Sequence, residues 1–120
     1  MKDFVFLEKM KNDILRIYLE KGSAFNLNEI EMNPKRDLDE SLDQMMGELS
    51  LTSKLLNEAR TNNDELAKKS ALLMIRAQAM SLSGFFEAIC DDTENLAMLD
   101  TWLSFPEDYE LPEHYNYPFK

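Results

Sequence analysis

The chain has 120 residues, 44% apolar and 30% charged, with three Gly, four Pro and one Cys. That is the size of one domain able to bury a core without metal or disulfides, and a lone Cys90 excludes an internal bridge. A net charge of −10 argues against direct nucleic-acid binding and against an anionic membrane surface, since both need Lys and Arg.

The charge is uneven. Residues 1–76 hold 14 acids and 12 bases, whereas residues 77–119 hold nine acids and no Lys or Arg. A partner with a basic surface fits this pattern; the plainer reading is that the acids confer solubility.

The opening residues carry acids within a short apolar run, unlike a signal peptide. No stretch is read as ~18 charge-poor apolar residues, because Arg76, Gln78 and Glu87 interrupt the most apolar segment, 71–90. A cytoplasmic location is expected.

In chain order, the first helix is predicted over 3–21, with Leu7, Met10, Ile14, Ile17 and Tyr18 on one face. Gly22 stops it, and 26–30 forms at most a short turn before Pro34. The second helix is predicted from about 37 to 60. Leu38, Leu42, Met45, Leu49, Thr52, Leu56 and Ala59 alternate in steps of four and three, which makes a seam one helix wide. Gly47 lies inside it, at a cost of ~1 kcal/mol relative to Ala.

After a turn at 61–63, capped by Asn63, a third helix is predicted to about Cys90. Asp64–Lys68 and Glu65–Lys69 are expected to support its first turns. Two stripes run along it. The larger is Leu72, Ile75, Ala79, Leu82, Phe86 and Ile89; the smaller holds Ala67, Ser70, Met74, Ala77, Ser81, Gly84 and Ala88. Ile75 and Ala77 lie about 200° apart at ~100° per residue, so the stripes face opposite ways. Either this helix is central in a bundle, or the small stripe at Ala77, Ser81, Gly84 and Ala88, or the Leu73–Met80 flank beside it, meets another chain, for example a second copy or a partner's helix. Gly84 is expected where something approaches closely.

Asp91-Asp92-Thr93 reads as a second turn, and a short fourth helix to about Ser104 is expected to bury Leu96, Leu99, Trp102 and Leu103. Residues 105–120 change character, with three Pro, four acids and five aromatics. The expectation is that this tail folds over the bundle; the alternative is a docking element anchored by Tyr115, Tyr117 and Phe119.

Chemistry is poorly supported. The only histidine, His114, lies in the tail, and Cys90 is expected to be a structural thiol, buried or half-buried. Zinc and di-iron spacings are missing, so no cofactor is expected. Asp39/Asp43 and Glu40/Asp43 are spaced as helix-borne oxygen ligands, which leaves a Mg²⁺-dependent hydrolase as the remotest reading.

The sequence thus implies an all-α fold: a small antiparallel bundle over 1–104, with three long helices and a shorter fourth, and a Pro/aromatic tail. The favoured function is a non-enzymatic inhibitor or regulator of a basic protein, such as a nuclease or nucleic-acid-binding protein. Asp91, Asp92, Glu94, Asp100, Glu107, Asp108 and Glu110 would form its acidic surface. The main alternative is a homodimeric assembly or chaperone-like factor joined through the third helix.

Overall fold

The computed structural model describes residues 5–21 and 30–118. Three α-helices order the described residues: α1 Leu7–Lys21, α2 Leu38–Thr61 and α3 Glu65–Ala97. A single 3-10 turn follows at Glu113–Tyr115, and no strand occurs among the described residues. The class is all-α. The expected stop at Gly22 and the turn beginning at Asn26 fall outside the described residues.

Each boundary has a local cause. Asp37 caps α2 by accepting from the Glu40 N–H at 3.0 Å. At its other end Asn63 takes up a left-handed backbone, φ 56°. The Asp64 N–H then reaches the Ala59 carbonyl (2.9 Å) and the Asn63 N–H that of Arg60 (3.2 Å). This pair of bonds is a Schellman closure, with Asn where Gly is commonest. Asp64, not Asn63, caps α3, accepting from the Ala67 N–H. Lys68 pairs with Glu65 (2.6 Å), three residues back, rather than with Asp64.

The expected break at 91–93 does not occur; α3 runs through to Ala97. The Asp92 side chain does not cap a new helix but reaches into the 31–32 loop, and the Thr93 hydroxyl donates back to the Ile89 and Cys90 carbonyls. There is no fourth helix among the described residues, and Leu103, expected in its core, is 92% exposed.

α2 turns back through Asn62–Asp64 so that α3 packs along it, and the predicted α2 seam is the one used: Leu38, Leu42, Thr52 and Ala59 are buried, with Met45, Leu49 and Leu56 half-buried. On α3 the buried line takes Ile75, Leu82 and Ile89 from the larger expected stripe and is otherwise turned toward the smaller one, leaving Leu72, Ala79 and Phe86 exposed. It comprises Ala71, Ile75, Gln78, Leu82, Phe85, Ile89, Asp92 and Leu96, again in steps of four and three. Two of these are polar, which hid the line from an apolar count.

The core lies at one end. Leu7, Ile14, Met32, Leu38, Leu42 and Leu96 form it, with Met10, Ile17, Tyr18, Leu82, Phe85 and Ile89 packed around them. α1 covers only this head. Beyond it, residues 49–61 of α2 and 65–81 of α3 continue as an arm two helices thick, closed by the Asn62–Asn63 turn, in which only Thr52, Ala59 and Ala71 are buried.

The shape is accordingly long, 61 × 39 × 28 Å. Its radius of gyration is 19.9 Å, against about 14 Å for a compact domain of this length. The accessible surface is 9843 Å² at 14.0 kDa, where a compact monomer of that mass exposes roughly 6,700 Å². The expected closed bundle is therefore replaced by a head and a projecting arm.

One sequence expectation about membranes is also corrected. By length and composition α3 is apolar enough to cross a bilayer. Arg76 and Glu87 are too few to lower its mean hydropathy below that of a span.

Candidate functional site

Polar side chains fix the head. Asp39 is buried at the start of α2, and its carboxylate accepts from the first N–H groups of α1, Leu7 (3.0 Å) and Glu8 (3.1 Å). Glu8 returns the contact by accepting from the Leu38 N–H at 2.9 Å. Between them Lys11, 1% exposed, pairs with Glu8 (2.9 Å) and donates to the carbonyls of Asn33 (3.3 Å), Pro34 (3.5 Å) and Arg36 (2.8 Å). A buried ammonium is tolerated only when partnered in this way.

Asp92 fixes the other side of the head. Also 1% exposed, it accepts from the N–H groups of Glu31 (2.8 Å) and Met32 (2.7 Å), while the Tyr18 hydroxyl donates to its backbone carbonyl at 3.0 Å. The 30–37 connection is thus tied to α3 by Asp92 and to α1 by Lys11.

This removes Asp92 from the acidic surface read from the sequence: its carboxylate is spent inside the fold. Asp91, Glu94, Asp100, Glu107, Asp108 and Glu110 are exposed. Asp39 is likewise committed to α1, which breaks up the Asp39/Asp43 pair, and no group of three or more His, Cys, Asp or Glu gathers among the described residues. Cys90 is exposed rather than buried or half-buried.

The arm is where apolar surface lies uncovered. Leu66 (81% exposed), Leu73 (58%) and Met80 (58%) recur every seven residues on α3. Leu73 and Met80 are each two residues from seam positions on both sides, about 200° around the helix, so they point directly away from α2. Leu72 and Met74, beside Leu73 on α3, are exposed as well.

The small residues have a different setting from the one expected. Ala77, Ser81 and Gly84 are exposed and Ala88 is half-buried. A Cβ built on Gly84 or Gly47 would meet no atom within 4 Å, so neither glycine is there for a close approach inside the chain. A groove of about 230 Å³ lies between α2 and α3 beside Ser81, lined also by Gln44, Met45, Glu48 and Gln78 among others. There the Gln78 amide donates to the Thr52 hydroxyl at 2.9 Å, and its buried Oε1 has no partner among the described residues.

The tail does not lie over the bundle. Every residue from Asp100 to Pro118 is exposed, Tyr115 and Tyr117 included, and Phe119 falls outside the described residues. It is attached at its start, where the Trp102 indole donates to the Leu96 carbonyl at 2.8 Å and Lys21 sits 4.7 Å from the ring centre.

Comparison of the chain with protein-family models, with curated proteins and with solved structures finds no match in any of the three.

Proposed function

We propose that the chain is a non-enzymatic protein-interaction module whose working surface is the projecting α2–α3 arm. The observation that carries this reading is the line Leu66, Leu73 and Met80, which is turned away from α2 and more than half exposed. Apolar side chains spaced seven apart on one helix face are what a second helix or an extended apolar segment packs against. Large contiguous apolar patches on a soluble surface mark such contacts. The partner surface is read as protein rather than lipid, because α2 already occupies the α3 seam and Gln78 and Asp92 stand within it.

The test compares tagged wild-type chain with Leu66→Gln, Leu73→Gln and Met80→Gln combined, after circular dichroism has confirmed equal helix content. Stoichiometric complexes are lost from the triple variant under this reading. If every complex survives at the same stoichiometry, the arm is not the working surface.

A second reading is favoured by a separate observation. The exposed acids Asp91, Glu94, Asp100, Glu107, Asp108 and Glu110 follow a chain stretch in which no Lys or Arg occurs between Arg76 and Lys120. They suit an inhibitor or regulator of a basic protein in the cytoplasm, with fast, salt-sensitive association. Reversing Asp100, Glu107, Asp108 and Glu110 to Lys weakens that binding at low salt; unchanged capture of basic proteins removes the reading.

A further inference from the structure

The arm and the tail are both uncovered and apolar, and their charges are opposite. Residues 49–81 carry five bases (Lys54, Arg60, Lys68, Lys69, Arg76) against three acids (Glu58, Asp64, Glu65), a net of +2 in a chain of −10. Residues 98–118 carry five acids (Asp100, Glu107, Asp108, Glu110, Glu113) and no Lys or Arg. Within that tail Phe105 is 83% exposed, and its ring lies 5.4 Å from that of Tyr109; Leu111 is 53% exposed.

From these complementary surfaces we infer that the arm is the docking site for the acidic, aromatic tail of a second copy of this chain, exchanged reciprocally in a homodimer. The inference rests on the arm being the working surface.

Three further observations support a second copy as the occupant. First, two chains together expose roughly 6,200 Å² more than two compact monomers would, enough to supply the roughly 2,000–5,000 Å² that obligate homodimers bury in total. Second, the tail is long enough: the sixteen residues after Trp102 span up to ~55 Å extended, and the α3 part of the arm, residues 65–81, is ~25 Å long. Third, Trp102 is tied to the Leu96 carbonyl and stacked by Lys21, which starts the tail at the end of α3 remote from the arm tip. Within one chain the tail does not lie on its own arm: residues 100–118 are exposed throughout.

In such a dimer the aromatic rings cover the Leu66–Leu73–Met80 line while the acids meet Lys68, Lys69 and Arg76.

The experiment is analytical ultracentrifugation of the full chain, with two full-length variants. One is Leu66→Gln/Leu73→Gln/Met80→Gln in the arm; the other is Phe105→Ser/Tyr109→Ser/Leu111→Ser in the tail. Wild type is expected to dimerise, each variant alone at least tenfold more weakly, and a 1:1 mixture of the two to recover a heterodimer, since one intact arm meets one intact tail. Raising salt to about 0.5 M weakens the dimer by screening.

A wild-type chain that stays monomeric overturns the inference. So does a tail variant that dimerises normally, which would mean arm-to-arm pairing. A photo-crosslinker at Phe105 that reaches the arm only within its own chain, in mixed light and heavy protein, overturns it as well. A monomer whose complexes with other proteins still depend on Leu66, Leu73 and Met80 overturns this inference alone. A monomer whose complexes are indifferent to those residues overturns the arm reading with it.

Discussion

Glu8 and Asp39 each cap the helix that the other belongs to. Asp39 lies in the first turn of α2 and receives the Leu7 and Glu8 N–H groups of α1; Glu8 lies in the first turn of α1 and receives the Leu38 N–H of α2. Two helix N-termini, each with unsatisfied donors, are thereby joined through negative side chains that suit both dipoles. Lys11 offsets the charge between them.

Replacing Asp39 by Ala leaves the buried Leu7 N–H without a partner and is expected to cost about 1–3 kcal/mol. Urea denaturation measures it. A loss no larger than that of Asp43→Ala, whose side chain is exposed, would show that the reciprocal cap carries no stability.

Asp92 gives a sharper contrast, because its neighbour Asp91 is the control. Asp92→Ala strips two N–H groups of the 31–32 loop and is expected to lower stability by about 1.5–3 kcal/mol, the range for hydrogen bonds to a charged group. Asp91→Ala, on the exposed side, stays within about 0.5 kcal/mol of wild type. Thermal melts of the two variants at equal concentration decide it; equal effects would mean that burial of Asp92 is not what holds the loop.

Thr52 and Gln78 form the only side-chain hydrogen bond between α2 and α3 described. Thr52→Val alone removes the partner of a half-buried amide and is expected to destabilise by about 1 kcal/mol. Thr52→Val with Gln78→Leu replaces both partners and is expected to be neutral or stabilising. A double-mutant cycle reads the coupling directly, and a double variant worse than the sum of the singles would contradict it.

Glycine and asparagine substitutions separate open from constrained backbone. Gly84→Ala meets open space and is expected to stabilise α3 by about 0.5–1 kcal/mol, as is Gly47→Ala in α2. Asn63→Ala is expected to destabilise by about 1 kcal/mol, because its left-handed backbone penalises a Cβ, while Asn63→Gly keeps full stability. Chemical denaturation of the four variants tests this together. A destabilising Gly84→Ala would point to a contact made in an assembly rather than in the single chain.

Much of the fold was legible because local chemistry dictated it. The α2 seam from Leu38 to Ala59 is a four-three alternation, and the helix used it unchanged. The turn at 61–63 was readable from Thr-Asn-Asn-Asp, although Asp64 rather than Asn63 became the cap, since Asn63 was needed for the left-handed closure. The α3 seam was legible only in part: Ile75, Leu82 and Ile89 belong to it, but Gln78 and Asp92 also occupy core-facing positions, and periodicity of apolar residues cannot register a polar side chain buried with a partner. The same blindness hid Lys11, which besides Glu8 is held by backbone carbonyls more than twenty residues away.

By itself the sequence determined the class of structure: helices whose apolar residues repeat at helical spacing, short turns fixed by Asn and Asp, and an acid-rich C-terminal third. Only the tertiary structure decided which acids remain on the surface, because Asp39 and Asp92 are drawn inward by N–H groups distant in the chain. It also decided that α1 covers just one end of the α2–α3 pair. At fifteen residues α1 is roughly 23 Å long and α3, at thirty-three, roughly 50 Å, so a helix of that length packed on the head leaves the arm bare.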